Sequence, residues 1–344
     1  MLTAFAAIAA LSFRASPQNF ARISPARPFA PSQPFALART TPPRACASPE
    51  THTYKASVYI EDTDCFSVVY YANYLKYFER AALDLLGAAD CQALFAERGL
   101  LLGAEAFDTM KFAAPGRLGD DVEVRTTVAG FDGGTLRLDA ALARAGDGTE
   151  LCSCGGLRVG FRLRDDEAAP LAPWPESGRP AEVAAAAAAV EAAGGGAAPE
   201  PPPSNAANPG PFVLQADEAS AHGRFSLHAA MRYFERTRTG SLGGPAALAE
   251  LQDAGVQVVV ARATNARLLR AAATTTLGAP CEVRCGLTLR ARDTQVVFDQ
   301  HVLSAATGEP LAAATVTCLC VDPVAGKMVP APAALKARLE PFLS

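Results

Sequence analysis

One pattern in this chain of 344 residues restricts its architecture more than any other: a stretch of sequence returns after 156 positions. Met231-Arg232-Tyr233-Phe234-Glu235-Arg236 repeats the character of Leu75-Lys76-Tyr77-Phe78-Glu79-Arg80. Leu277-Gly278, with Cys281-Glu282-Val283-Arg284 behind it, repeats Leu118-Gly119 and Val122-Glu123-Val124-Arg125. Thr307-Gly308-Glu309-Pro310-Leu311 marks a hairpin turn where Asp147-Gly148-Thr149-Glu150-Leu151 marks one in the first copy. Such self-similarity means two copies of one structural unit. Each copy has a helix followed by alternating stretches that read as antiparallel strands; in the second copy these cover residues 256–261, 281–291, 295–303 and 311–321. The expected fold class is therefore α+β, in duplicate.

Residues 166–210 are rich in Ala, Pro, Gly and Glu and include Pro201-Pro202-Pro203, so they are expected to link the copies. That leaves a first domain over residues 52–165 and a second over 211–344. Residues 1–49 contain no Asp or Glu yet carry Arg14, Arg22, Arg27, Arg39 and Arg44 among many Ser, Ala and Pro. This is the bias of an organelle-targeting leader. An apolar run ending in Ala10-Leu11-Ser12 before Phe13 adds a signal-peptide character. Such a two-part leader resembles those that address plastids (chloroplasts), the expected destination, with the mitochondrion as the alternative.

Half of the residues are apolar, enough for a sizeable core, and the net charge of −4 argues against nucleic acid as a partner. No apolar run reaches the ~18 residues needed to span a bilayer. The nine cysteines include Cys152-Ser153-Cys154 and Cys318-Leu319-Cys320, whose spacing puts both sulfurs on one face of a strand. They are expected to be buried structural thiols, because no pair of CxxC motifs or nearby His completes a metal site. No phosphate-binding glycine loop, dinucleotide fingerprint or serine-hydrolase elbow occurs, so no cofactor and no metal is expected.

The chemistry concentrates in the stretch from Glu61 to Arg80. Tyr54 to Ile60 alternates as a half-buried strand does, and Tyr74, Tyr77, Phe78, Ala81 and Leu85 then make one apolar helical face. Between them a turn places Asp64 near the opening of the helix. There, unpaired backbone N–H groups can stabilise a developing oxyanion, and a carboxylate can act as base or nucleophile. The competing role for Asp64 is an N-cap or Asx turn. Asp62 could be structural, and Asn73 and Tyr74 could be helix-start residues packed into the core. Glu79 and Arg80 read as a solvated or interdomain ion pair. His52, His222, His228 and His301 show no triad or ligand spacing.

Asp62-Thr63-Asp64, followed by Val68-Val69-Tyr70-Tyr71-Ala72-Asn73-Tyr74 and Phe78-Glu79-Arg80, resembles the 4-hydroxybenzoyl-CoA thioesterase-like hotdog family. Lys111-Phe112 and Pro115-Gly116-Arg117-Leu118-Gly119-Asp120 form a second family-like stretch. The resemblance covers roughly residues 54–162. It implies two tandem hotdog units, each a sheet wrapped around a central helix, paired within one chain. It also implies an acyl thioesterase acting on acyl-CoA or acyl-carrier-protein thioesters. The catalytic acid would be Asp64, with the oxyanion contact at Tyr71. Asp62, Phe66, Val69, Asn73, Tyr74, Lys111 and Arg117 would contact substrate, the last cations through coenzyme A phosphates or an acidic carrier. Where many relatives have small residues, this chain has Cys65-Phe66-Ser67, which alters the pocket.

The second copy is expected to be degenerate. Ser220 stands opposite Asp64, Leu227 opposite Tyr71 and Ala229 opposite Asn73, although Glu218 matches Asp62. Its role would be fold, walls and ligand contacts, some of them from residues 262–270. The tandem could pair again as a homodimer. Two rival functions are a hotdog dehydratase, disfavoured because no His lies near Asp64 in sequence, and a non-catalytic acyl-thioester-binding scaffold.

Overall fold

The computed structural model of the chain describes residues 51–64, 67–132, 134–163, 201 and 211–343. The expected leader, the linker apart from Pro201, and the Cys65-Phe66 pair lie outside the described residues.

The first copy runs β1 (Thr51–Ser57), a 3-10 turn at Tyr71–Asn73, α1 (Tyr74–Leu86), α2 (Ala88–Arg98), then β2 (Leu100–Phe112), β3 (Asp121–Asp132), β4 (Thr135–Arg144) and β5 (Glu150–Leu163). The second runs β6 (Phe212–Val213), α3 (Leu227–Ser241), α4 (Gly244–Asp253), β7 (Gln257–Leu268), a 3-10 turn at Arg270–Thr274, and β8 (Pro280–Arg290). It closes with β9 (Gln295–Ser304), β10 (Pro310–Asp322), β11 (Lys327–Met328) and α5 (Ala333–Leu339).

All these strands join one antiparallel sheet in the order β1-β3-β4-β5-β2-β7-β10-β9-β8-β6, with β11 on β10. The seam between copies is β2 against β7, from Ala106 opposite Arg267 to Lys111 opposite Arg262. Joining the copies there pairs two strand edges that would otherwise be open to other chains. Each half-sheet wraps one long helix. On α1 the residues Tyr74, Leu75, Tyr77, Phe78, Ala81 and Ala82 are buried, and on α3 Met231, Tyr233 and Phe234 are buried. This is the tandem hotdog architecture that the repeat and the family resemblance together imply.

The hairpin turns form where the two Gly-containing segments stand. Arg144 N–H bonds Thr149 O and Ser304 N–H bonds Glu309 O, each at 2.9 Å. Gly148 and Gly308 supply the left-handed backbone, with φ of 71° and 72°. Cys152, Cys154, Cys318 and Cys320 are all buried on β5 and β10, and burial pushes their thiols up. One strand differs from the expectation: β7 extends to Leu268 instead of ending at residue 261. Beyond Ala261 its polar residues lack a clean alternation, but pairing with β10 on one side and β2 on the other fixes them as strand. Among the described residues, no helix is long and apolar enough to cross a membrane.

Candidate active site

The Asp64 turn is built by a small backbone ladder. Asp64 N–H bonds Val68 O at 2.9 Å, Ser67 N–H bonds Asp64 O at 3.1 Å and Tyr70 N–H bonds Asp62 O at 2.9 Å. Val69 N–H then reaches Gly116 O at 2.8 Å, tying the turn to the second family-like stretch. Gly116 is needed there: a Cβ would meet the Val69 side chain at 3.0 Å and the Tyr74 hydroxyl at 3.3 Å. That hydroxyl accepts the Gly116 N–H at 3.0 Å. Val69 and Tyr74 therefore shape the site from below, both buried.

The chain enters α1 through the 3-10 turn, and neither Tyr70 nor Asn73 caps it with a side chain. The first amides of a helix have no intrahelical acceptor, so those at Tyr71 and Ala72 are aimed at whatever lies before the helix. This places potential oxyanion donors at the end of the Asp64 ladder.

Contacts from the other copy hold Tyr71. Its hydroxyl donates to Met231 O, and the Arg238 guanidinium lies 4.8 Å from the centre of its ring. Arg238 is itself buried and donates to Gln300 Oε1 at 3.0 Å. Burial pushes the Tyr71 phenol up to about 12 despite the Arg238 charge, so it stays a neutral donor. Tyr70 donates to Glu235 Oε2 at 3.5 Å. The second copy's α3 thus walls the first copy's loop.

Asp62 faces away from solvent, 1% exposed. Its Oδ2 accepts the Tyr77 hydroxyl at 2.9 Å and the Tyr59 N–H at 3.1 Å. This makes it a positioning carboxylate under the loop. Asn73 is also enclosed: Nδ2 donates to Asp62 O at 3.1 Å, and Oδ1 accepts from His228 Nε2 at 3.0 Å. His228 is pushed down to about 3, by burial first and then by Lys76 and Arg232, and is neutral. Lys111 and Arg117 are exposed, and Lys111 stands opposite Arg262 across the seam. Phe66 falls outside the described residues.

The second copy reproduces the loop in backbone. Ser220 N–H bonds Arg224 O, Gly223 N–H bonds Ser220 O and Phe225 N–H bonds Thr275 O, at 2.9, 2.8 and 3.0 Å. Glu218 takes the Tyr233 hydroxyl at 2.8 Å, as Asp62 takes that of Tyr77. The helix start differs: Ser226 Oγ accepts the Ala229 N–H at 3.1 Å and so caps α3.

A cavity of about 700 Å³ lies beside this second loop, and neither Asp64 nor Tyr71 lines it. Its wall joins Glu79, Leu102 and Ala104 of the first copy to Ser220, His222 and Phe225 of the second. Glu79, expected to pair with Arg80, instead accepts the Ala104 N–H at 2.9 Å, while Arg80 lies over the Tyr77 ring. His222 stacks on Phe95, ring centres 5.3 Å apart. The sequence also gave no sign of the Arg238–Tyr71 and His228–Asn73 contacts, since each joins residues about 160 positions apart. Among the described residues, no group of three or more His, Cys, Asp or Glu is placed to hold a metal ion.

Residues 58–187 match the family model of the thioesterase-like superfamily. Over 81 residues the chain is 38% identical to the acyl-CoA thioester hydrolase YbgC of Escherichia coli, covering 23% of this chain and 59% of that protein. Over 94 residues it is 32% identical to the acyl-CoA thioesterase YbgC of Haemophilus influenzae, covering 27% of this chain and 68% of that one. The chain thus spans 59% to 68% of the length of these curated relatives. The fold is similar to that of a 12:0-ACP thioesterase from Umbellularia californica, with a TM-score of 0.56 at 12% identity over 79% of this chain and 94% of that one. An acyl-ACP thioesterase from Bacteroides thetaiotaomicron gives 0.52 at 11% identity over 78% and 97%. At such identities the likeness is one of fold, and it extends across both copies.

Proposed function

This chain belongs to the thioesterase-like superfamily, and from that premise we propose that it hydrolyses an acyl thioester to the free acid and thiol. The substrate thiol is coenzyme A or an acyl-carrier protein. The observation that carries the reading is the uncapped helix start at the end of the Asp64 ladder, walled by the other copy.

In this reading the thioester carbonyl oxygen points at the Tyr71 and Ala72 amides, where negative charge in the tetrahedral state meets fixed N–H dipoles. Losing one such donor typically costs about 3–4 kcal/mol of transition-state stabilisation. As base, Asp64 takes a proton from water while the water oxygen bonds to the carbonyl carbon; the C–S bond then breaks and the thiolate is protonated. As nucleophile, Asp64 bonds to the carbonyl carbon and the C–S bond breaks to expel the thiolate, which takes up a proton. Water then opens the mixed anhydride to the free acid and the Asp64 carboxylate. Asp62 and Asn73 hold the loop, while Lys111, Arg262 and Arg117 offer positive charge to phosphates or to an acidic carrier. The second copy has Ser220 at the acid position and a capped helix, and serves as wall. Residues 1–49 are read as a plastid leader, tested by import of a fluorescent fusion.

Thiol release from aromatic, short, medium and long acyl-CoAs, and from acyl-carrier proteins, tests the activity. Turnover of at least one class is expected. Binding without turnover across both carriers would leave the scaffold reading in its place.

A further inference from the structure

Repeat symmetry explains why the cavity beside the second loop is open. The counterpart of Glu79 is Glu235, whose carboxylate in the first site accepts the Thr239 hydroxyl at 2.6 Å and the Tyr70 hydroxyl at 3.5 Å. At those two positions the other site has Leu83 and Ser226. Leu83 offers no polar group, and the Ser226 hydroxyl is spent on the Ala229 amide and on Glu218 O. Glu79 keeps one oxygen on the Ala104 amide; among the described residues its other oxygen accepts nothing. The exchange of a tyrosine for Ser226 also removes a phenol ring from the space.

The surrounding charges are arranged to receive an anion beside an apolar chain. The acids are met: Glu105 by Arg162, Glu218 by Arg236 and Tyr233, and Asp217 by Arg232. Lys76 and Arg80, one turn apart on α1, line the cavity, and neither makes an ion pair among the described residues. Leu102, Phe225 and Leu268 supply apolar wall. Burial pushes the Glu79 carboxyl up, so it keeps its proton, and with it an O–H donor, to higher pH than a surface carboxyl does. A volume of about 700 Å³ lies within the range of small-ligand pockets.

We propose that this cavity is a second acyl-binding site, separate from the Asp64 loop, which holds the chain of a fatty acid or acyl-CoA with its carbonyl end on Glu79. It does not cleave its ligand. Ser220 stands where the acid would be, and Ser226 occupies the helix start that would bind the oxyanion. The proposal goes beyond hydrolysis at Asp64 and does not require it.

Calorimetric titration of the full chain with dodecyl-CoA thioether, and separately with dodecanoate, tests it. Leu102→Trp and Ala273→Trp fill the cavity from β2 and from the 3-10 turn after β7. Each should weaken the cavity's binding at least tenfold and leave thiol release from acyl-CoA within twofold, which also reports that the variant is folded. Glu79→Leu should weaken binding about tenfold, the worth of one hydrogen bond in an apolar site. Binding by the thioether alone would make the ligand a thioester; binding by dodecanoate as well would extend the site to the free acid. Binding untouched by both tryptophans, or by Glu79→Leu, would overturn the assignment. Loss of binding together with thiol release would overturn the separateness of the two sites.

Discussion

The two loops, at Asp64 and at Ser220, have the same backbone and different chemistry. Three of the four N–H to C=O bonds of the ladder recur in the second copy, and the acid beneath each loop is held by a tyrosine hydroxyl, Asp62 by Tyr77 and Glu218 by Tyr233. What differs is a handful of side chains: Asp64 against Ser220, Tyr70 against Ser226, Tyr71 against Leu227. Packing around a central helix keeps a loop's path even when the side chain on it changes from Asp64 to Ser220. The helix start is the sharpest contrast, bare in the first copy and capped by Ser226 in the second. Capping stabilises a helix by about 1 kcal/mol and removes a site for an oxyanion. The first copy forgoes that stabilisation where the proposed chemistry needs free amides.

The comparison breaks most visibly at Asp64. Asp64→Asn should cut turnover ~10²–10⁴-fold, because the amide can neither take a proton nor act as a carboxylate nucleophile, and circular dichroism should be unchanged. A smaller, graded effect comes from the buried acids. Tyr77→Phe should cost about 2 kcal/mol in urea unfolding, since Asp62 then keeps only the Tyr59 amide. Tyr233→Phe should cost about 1 kcal/mol, since Glu218 keeps Arg236. Equal costs would mean that the two acids are held alike.

The pair that joins the copies gives a pH effect. His228 has a folded value of about 3 against an ordinary value of about 6.5, so the unfolded chain takes up a proton first. Its contribution to stability is complete above pH ~6.5 and is lost as pH falls toward 3, with a slope of at most ~1.4 kcal/mol per pH unit. His228→Gln, which keeps a donor toward Asn73, should flatten that part of the stability curve; an unchanged slope would place the proton elsewhere. The smallest effect is conformational. Ser67 has a φ of 58° where the second loop has Gly223 at 70°. Ser67→Gly should raise the unfolding free energy by up to about 1 kcal/mol by relieving that backbone.

Much of this was legible in the sequence. The face from Tyr74 through Ala81, the hairpins at Gly148 and Gly308 and the repeat itself are local patterns, carried by side-chain period and turn chemistry. The end of β7 was not, because residues 262–268 become strand only through partners on both sides. The wall around Tyr71 was hidden for the same reason: Met231 and Arg238 reach it only once the copies pair. Glu79 carried a misleading signal, since an acid followed by Arg80 on a helix resembles surface patterning, while the fold turns it toward a cavity. The side-chain differences of the second copy could be read position by position, but not the cavity beside its loop, whose wall forms only once the two copies pair.

The most direct test of the account is thiol release by Asp64→Asn and Ser220→Ala side by side, on the acyl-CoA that the wild-type chain turns over best. The account predicts a loss of ~10²–10⁴-fold for Asp64→Asn and a rate within twofold of wild type for Ser220→Ala. A near-wild-type rate for Asp64→Asn, or a collapse in Ser220→Ala, would contradict the division of labour between the two loops.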